Sequence, residues 1–281
     1  MISTELNRII ESKGFIEQSV INQGGCVAPG LITDYAEAVM AIKPDYKDSY
    51  PFTLECIKLD NGSSYICITS EGTPPSGKIF QYSLNESGTW NTLSLNVNVN
   101  LKYGDRIAIR ATGSTWSSGS SGRYVINGVG MFNAYGSILS LIESPSVSTS
   151  LSNNCFYNGI YSKGSNGIKV LTSPEFPTLS ISASQAVYRG FYYDFPSIIV
   201  GPDLPAATVG NYGYSYMFNG CTNLRYMKVL ATNVSASNAI YKMMNNGGGI
   251  SSEGDFVVRT DAPSALKSAV PSGWKTHKNT Y

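Results

Sequence analysis

The stretch Tyr214-Ser-Tyr-Met-Phe-Asn-Gly-Cys-Thr-Asn-Leu224 indicates the architecture of the C-terminal half, because parts of it recur along the chain. Its first five residues resemble Tyr188-Arg-Gly-Phe-Tyr192 and Ile240-Tyr-Lys-Met-Met244, and the three segments start 26 residues apart. Repeats of about 20 to 29 residues with recurring Leu, Cys and Asn are typical of leucine-rich solenoids, in which each unit buries its apolar edge against its neighbours. We therefore predict a short leucine-rich-repeat-like solenoid over residues 144–281, closed by a strand at Asp255–Arg259 and a capping helix within 262–270.

Upstream of the repeats, residues 47–143 carry the pattern of an all-β domain. Within 93–101, Leu and Val alternate with polar residues, as expected for a strand with one buried face. Several such short stretches are separated by turn residues, at a spacing that is typical of a sandwich. The sequence therefore predicts an antiparallel β-sandwich here and a mainly β chain as a whole.

The strongest turn signal in this domain is Asn61-Gly62, which lies between two alternating stretches. A two-residue turn there predicts a hairpin in which Ile57 faces Ile66 on the core side, while Cys56 faces Cys67 on the other side. The two cysteines would then be close enough for a disulfide. Five cysteines without a metal-ligand spacing favour free thiols instead, as expected for a chain that folds in a cytoplasm.

The first 46 residues predict a short helical anchor. Asp34 and Glu37 form a capping pattern at the start of its second helix, and Pro44 ends that helix. Helices this short are marginal alone, so their apolar stripes must be buried on the next domain, another copy of the chain or a partner. The candidate attachment or oligomerisation residues are Leu6, Ile9, Ile10, Tyr35, Val39 and Ile42.

Composition and charge exclude several classes of protein. The 281 residues carry a net charge of +1 with only 14% charged residues, whereas nucleic-acid binding needs concentrated Lys and Arg. The chain has no run of about 18 uninterrupted apolar residues, so we expect no membrane insertion. Its start lacks the apolar run of a secretion signal, so we expect it to fold in a cytoplasm.

The polar residues form no recognisable catalytic pattern, and we expect no enzyme activity, cofactor or metal. The single histidine, His277, lies in a polar C-terminal stretch and is expected to be free rather than part of a triad. A glycosidase would have to draw its two carboxylates from residues such as Glu143, Glu175, Asp194 and Asp203. Among 19 acidic residues some lie close together by chance, so these acids alone do not indicate such an enzyme.

The repeat region is rich in tyrosine, and most of these rings, such as Tyr188 and Tyr216, are expected in the repeat core. Tyr193 and Tyr212 lie outside the repeat register, in stretches that resemble turns, and are better candidates for a ligand surface. Exposed aromatic rings stack on sugar faces or anchor protein partners. Trp116, inside a Ser/Gly-rich loop, is the third candidate for this surface.

Residues 216–224, with Asp203–Thr208 before them, resemble the leucine-rich repeats of BspA-like surface proteins, which occur in Bacteroidales and in their phages. The middle domain resembles modules that precede such repeats, and the N-terminal block resembles short leaders of phage fibre and decoration proteins. The matching positions are Gln81–Asn85, Trp90, Tyr103–Ile107 and Gly136–Ile142 in the middle domain, and Ile9–Gly14, Gly24-Gly25, Pro29 and Asp34–Ile42 in the N-terminal block.

These resemblances imply a structural protein in the virion of a crAss-like tailed phage of gut Bacteroidales, such as a head fibre, a decoration protein or a tail-fibre-like protein. The implied partners are other virion proteins of the capsid or tail, further copies of the chain in a homodimer or homotrimer, and a host surface glycan or protein. The implied location is the virion, assembled in the bacterial cytoplasm.

Three alternatives remain open at this point: a cell-surface BspA-like adhesin of Bacteroidales, a carbohydrate-active enzyme, and a purely structural capsid or tail part. The chain shows neither a secretion signal nor a lipid-anchor cysteine near residue 20, and this favours the virion protein over the adhesin.

Overall fold

The computed structural model describes residues 51–60, 62–142, 151–162, 167–177, 186–244 and 253–279. The predicted N-terminal anchor lies outside these residues, together with its candidate attachment positions Leu6, Ile9, Ile10, Tyr35, Val39 and Ile42. The described chain is mainly β, and antiparallel pairing prevails in its first two sheets, which confirms the predicted fold class at this level. The domain boundaries predicted near residues 47 and 143 also fall outside the described residues.

The strands are short and are joined mostly by turns. In chain order they are β1 (Thr53–Lys58), β2 (Ser64–Gly72), β3 (Phe80–Leu84), β4 (Asn91–Thr92), β5 (Val99–Leu101), β6 (Arg106–Ala111), β7 (Gly122–Val129), β8 (Met131–Tyr135), β9 (Lys169–Val170), β10 (Val200–Leu204), β11 (Tyr226–Val229), β12 (Gly254–Arg259) and β13 (Trp274–Asn279). The helix α1 (Ser264–Ser268) lies between β12 and β13, and two 3-10 turns occupy Gly119–Ser121 and Ile138–Leu141.

Strands β1 to β9 form two sheets around one core. The larger sheet has the order β4-β3-β6-β1-β8-β9, and the smaller one has the order β5-β2-β7. The sheets face each other, because the rings of Phe80 on β3 and Tyr124 on β7 meet edge to face at 4.9 Å. Alternating residues of both sheets are removed from water between them, and this burial is the main source of stability in such an arrangement.

The predicted hairpin between β1 and β2 is wrong beyond its turn. Asp60 and Ser63 exchange backbone hydrogen bonds of 3.0 Å, as expected for a tight turn, but the two strands then enter different sheets. In a hairpin Cys56 and Ile66 would point to opposite faces. Because β1 and β2 instead face each other across the core, both side chains are completely buried, and Ile57 lies half-buried on the outer face.

The positions of Cys56 and Cys67 follow from this arrangement of the strands. Cys56 lies on β1 and Cys67 on β2, and both are free thiols, as are Cys155 and Cys221 in the described part of the chain. Burial raises the pKa of the Cys56 and Cys67 thiols above their ordinary value. The predicted proximity of Cys56 and Cys67 is therefore wrong, and the expectation of thiols agrees with the structure.

A parallel sheet in the order β10-β11-β12-β13 occupies the C-terminal part. Val200, Tyr226, Asp255 and Lys275 lie side by side across it. Its buried face carries Met227, Val229, Phe256 and Val258, all without exposed surface. The predicted closing strand is β12, the predicted capping helix is the shorter α1, and β13 is a further strand that the sequence analysis did not predict.

Four turn segments, residues 153–158, 187–194, 211–220 and 237–244, alternate along the chain with the strands. Between adjacent segments the backbones bond directly: the Tyr188 amide donates to the Gly213 carbonyl at 3.2 Å, and the Tyr214 amide to the Ala239 carbonyl at 2.8 Å. Positions 26 residues apart therefore become neighbours. The rings of Tyr188 and Tyr214 stack at 6.3 Å, and those of Tyr192 and Phe218 at 5.5 Å.

The sheets and the turn segments share one core cluster. Thr172, two residues after β9, binds Ala134 of β8 through two hydrogen bonds of 2.9 Å, its hydroxyl donating to the carbonyl and accepting from the amide. Arg123 of β7 is almost completely buried, and its guanidinium donates to the carbonyls of Asn158 and Gly159. These contacts fix the first turn segment against the smaller sheet.

Candidate functional site

Trp116 is not on the surface. Its side chain is completely buried, and its indole N–H donates to the Tyr124 carbonyl at 2.6 Å. The indole also meets the rings of Phe80 at 5.8 Å and Tyr124 at 5.9 Å, edge to face. The expected exposure of Trp116 is therefore wrong, because the flexible composition of its loop does not prevent a large ring from filling the core.

The other two candidates, Tyr193 and Tyr212, lie near each other on the turn segments. The Tyr193 side chain is 40% exposed, whereas Tyr212 is half-buried. Tyr216 connects them: its ring lies 6.4 Å from the Tyr193 ring, and the guanidinium of Arg189 lies over both the Tyr212 and Tyr216 rings. The structure thus brings both residues into one aromatic surface.

Three tyrosines from three successive turn segments form what we call the tyrosine row: Tyr193, Tyr216 and Tyr241. The rings of Tyr216 and Tyr241 meet edge to face at 5.4 Å, and Tyr241 is 45% exposed. Sequence reasoning missed Tyr241 and expected Tyr216 in the core. The sequence gives no signal for the exposure of Tyr241, because the equivalent residue one segment earlier, Ser215, is completely buried.

Arg189 is held against three rings. Its guanidinium carbon lies 5.0 Å from the Tyr212 ring centroid, 5.3 Å from that of Tyr157 and 5.9 Å from that of Tyr216. These distances are in the range of cation–π attraction. Lys242 lies in the same way over Tyr241, with its ammonium 5.5 Å from the ring centroid. The aromatic surface therefore carries two positive charges.

The backbone of this surface is unusual, because bulky residues occupy the left-handed region. Tyr212 has a φ of 56° and Tyr216 a φ of 57°, and Lys242 has a φ of 49°. Glycine holds the equivalent position of Tyr216 one segment earlier, at Gly190, with a φ of 64°. A side chain larger than glycine costs about 1–2 kcal/mol in this conformation. The left-handed region recurs at two positions four residues apart in each turn segment, among them Asn158, Asp194 and Asn238, so the turn geometry itself requires it.

The acidic residues considered for catalysis are spread over the structure. Asp203 on β10 is paired with Lys228 at 3.1 Å, and Asp194 lies exposed at the end of a turn segment. His277 is not free as expected: it lies on β13, and its Nε2 contacts Asp255 Oδ1 at 2.5 Å. Glu143 lies outside the described residues.

The buried titratable groups of this region are uncharged near neutral pH. Burial raises the pKa of Tyr188, Tyr192 and Tyr214 well above the ordinary range of a phenol. Burial likewise raises the pKa of Cys155 to about 12. The charges available to a ligand on the turn segments are therefore those of Arg189, Lys242 and Asp194.

The described residues contain no group of three or more His, Cys, Asp or Glu side chains that could hold a metal ion. In the same part of the chain, no helix combines the length and the apolar character that crossing a membrane requires. The tyrosine row is suited to binding a ligand that has apolar faces and negative charge, because it combines aromatic faces with adjacent cations.

Comparison with known proteins finds no matching family model, no matching curated protein and no matching solved structure.

Proposed function

We propose that this chain is a non-enzymatic structural component of a phage virion, a head fibre or similar appendage, whose C-terminal part is a short leucine-rich-repeat-like solenoid that binds host surfaces. The tyrosine row is the observation that carries the adhesive part of this proposal, because it exposes the rings of Tyr193 and Tyr241 on either side of the half-buried Tyr216 ring. The stacking of positions 26 residues apart and the parallel sheet support the solenoid assignment.

The virion assignment is supported by the residues that resemble phage fibre leaders, at Ile9–Gly14 and Asp34–Ile42, and by the proposed anchor role of residues 1–46. In this proposal the anchor binds other virion proteins or sister chains. Many copies on one particle would then make weak single contacts effective, because each further contact is intramolecular. A deep pocket is not needed for such binding.

The virion assignment is tested on purified phage particles. An antibody against the recombinant chain should label purified virions of the source phage and should reduce their adsorption to host cells. Deleting residues 1–46 should abolish incorporation of the chain into particles while the remaining domains still fold. Normal incorporation of the shortened chain would contradict the anchor assignment, and absence of the chain from particles would contradict the virion assignment.

The second candidate is a cell-surface adhesin of Bacteroidales, which the same tyrosine row favours. In that case the antibody would label bacterial cells rather than particles, and the row would contact another cell or a host matrix. Labelling of intact cells that carry no phage would favour this candidate.

A further inference from the structure

Two cations beside the tyrosine row narrow its ligand to one chemical class, provided that the proposed adhesive function holds. We propose that the ligand is an acidic polysaccharide, whose sugar faces contact Tyr193, Tyr216 and Tyr241 and whose carboxylates pair with Arg189 and Lys242. The contacts of these two cations carry the argument.

The Arg189 guanidinium has hydrogen-bond donors without an acidic partner in the described part of the chain. Its side-chain contacts there are the rings of Tyr157, Tyr212 and Tyr216. Arg123 and Arg259 differ, since Arg123 pairs with Glu71 at 2.9 Å and Arg259 pairs with Asp261 at 2.8 Å. A guanidinium carries five N–H donors in a planar fork, which matches the two oxygens of a carboxylate.

The three rings also fix where this guanidinium points. A free arginine side chain loses considerable rotamer freedom when it binds an anion. Arg189 is already held between Tyr157, Tyr212 and Tyr216, so less of that freedom remains to be lost on binding. Half-burial among rings also lowers the effective dielectric, which strengthens an ion pair relative to one in open water.

Charge along the row favours an anion. On the four turn segments, the described residues include two cations, Arg189 and Lys242, and one acid, Asp194. Lys242 follows Tyr241 directly and holds its ammonium over that ring, so the two cations lie at different points along the row. An extended ligand with repeating negative charge can therefore meet both of them.

The surroundings of the row favour a sugar polymer over a protein. Stable protein interfaces have an apolar centre that excludes water. Here the turn segments that carry the rings also carry amide and hydroxyl side chains that are half-buried or exposed, among them Asn158, Asn219, Ser237 and Asn238. Amides and hydroxyls can both donate to and accept from sugar hydroxyls, while pyranose C–H faces pack on the rings.

The experiment measures retention of the full chain on immobilised polygalacturonate, alginate and hyaluronan, each beside its methyl-esterified form. Esterification keeps the sugar backbone and removes the carboxylate charge. We expect at least one acidic polymer to bind roughly tenfold more tightly than its ester, the size expected for one charge-assisted hydrogen bond. Added salt should weaken this binding, because the site is partly exposed.

Substitutions test whether the tyrosine row and its two cations bind the acidic polymer. Arg189→Gln should lower affinity for the acidic polymer to that of the ester, and Arg189→Lys should restore part of it. Tyr193→Ala and Tyr241→Ala should weaken binding to both forms. Two matched controls should have no effect: Tyr103→Ala removes a tyrosine that is 73% exposed in the turn between β5 and β6, and Lys275→Gln removes an exposed cation on β13.

The outcomes separate this inference from the proposed function. Equal binding of acidic and esterified polymers, or unchanged binding of Arg189→Gln, overturns the acidic class but leaves an adhesive row. If no polymer binds and host-cell binding is instead removed by protease treatment of the cells, the ligand is a protein and the inference is wrong. If Tyr193→Ala and Tyr241→Ala leave host-cell binding unchanged, the adhesive function itself fails.

Discussion

At the scale of single residues, Tyr216 combines backbone strain with ring contacts. Replacing it with Asn, which tolerates the left-handed region, should relieve strain of about 1–2 kcal/mol. The ring contacts that are lost, with Tyr193 and Tyr241, are worth about 0.5–1.5 kcal/mol each. We therefore expect the free energy of unfolding in urea to stay within about 1 kcal/mol of the wild-type value, while retention on the ligand falls. A large loss of stability would show that the ring is needed for folding instead.

Trp116 gives a second prediction at this scale, and here the effect is on stability. Trp116→Ala removes a completely buried indole and should lower the free energy of unfolding by about 3–5 kcal/mol. Trp116→Phe keeps most of the volume but leaves the Tyr124 carbonyl without its donor, and should cost about 1–3 kcal/mol. Urea unfolding followed by far-UV circular dichroism measures both. Equal losses in the two variants would contradict the separate contribution of the hydrogen bond.

At the scale of elements, the close stacking of the turn segments depends on glycine at one position. Gly159 has a φ of 77°, and a Cβ there would lie 1.8 Å from the Phe191 carbonyl oxygen of the next segment. Gly159→Ala should therefore unfold the chain or lower its thermal midpoint by many degrees. Gly88→Ala is the matched control, because Gly88 has a φ of 72° and a Cβ added there would meet no other atom within 4 Å. This substitution should lower the free energy of unfolding by only about 1–2 kcal/mol. Similar midpoints for the two variants would contradict the close approach.

The pairing of elements shows where sequence reasoning succeeds and fails. The 26-residue spacing correctly identified neighbours such as Tyr188 and Tyr214, because a repeat that buries the same position in each unit brings those positions together. The turn before Ser63 was also predictable. The separation of β1 and β2 into two sheets was not. Alternation gives the buried face of a strand and not its partner, and it cannot distinguish a hairpin from two strands that face each other across a core.

The candidate surface was predictable in part. Tyr193 and Tyr212 were identified because they depart from the repeat register, and they lie on the aromatic surface that includes the row. Trp116 was misplaced because the composition of a loop does not reveal what its one large side chain packs against. The role of Arg189 has no sequence signature, since its three ring contacts come from the two turn segments on either side of its own.

At the scale of the whole molecule, Arg123 joins the smaller sheet to the first turn segment. Arg123→Met should leave the carbonyls of Asn158 and Gly159 without their buried donor, and we expect a loss of about 2–5 kcal/mol in urea unfolding. The partner Glu71 is half exposed, so Glu71→Gln should cost less than about 1 kcal/mol. If both variants lose the same amount, the salt bridge and not the carbonyl contacts accounts for the effect of Arg123.

Stability should also depend on pH above about 9. In the described part of the chain, burial raises the pKa of nine groups: Cys56, Cys67, Cys155, Cys221, Tyr124, Tyr161, Tyr188, Tyr192 and Tyr214. In the unfolded chain the thiols titrate near 9.0 and the phenols near 10.0, so above these values the unfolded state binds fewer protons than the folded state. The free energy of unfolding must then fall as pH rises.

Lys78 acts in the opposite direction, because burial lowers its pKa to about 8 and the unfolded state binds more protons between that value and 10.5. One group that acts in this direction does not offset the nine whose pKa is raised. Urea unfolding between pH 7 and pH 11 should therefore show a decline that begins near pH 9 and is steeper in Lys78→Met. A constant free energy of unfolding up to pH 10.5 would contradict the burial of these groups.

The direct backbone bonding between turn segments has a consequence for how this molecule could diversify. Each segment is held to the next by main-chain hydrogen bonds such as that from Tyr214 to Ala239, which do not depend on side-chain identity. Duplicating one unit would therefore add a segment to the stack through the same kind of main-chain hydrogen bond. The length of the stack could thus change in discrete increments through recombination, with no redesign of the scaffold.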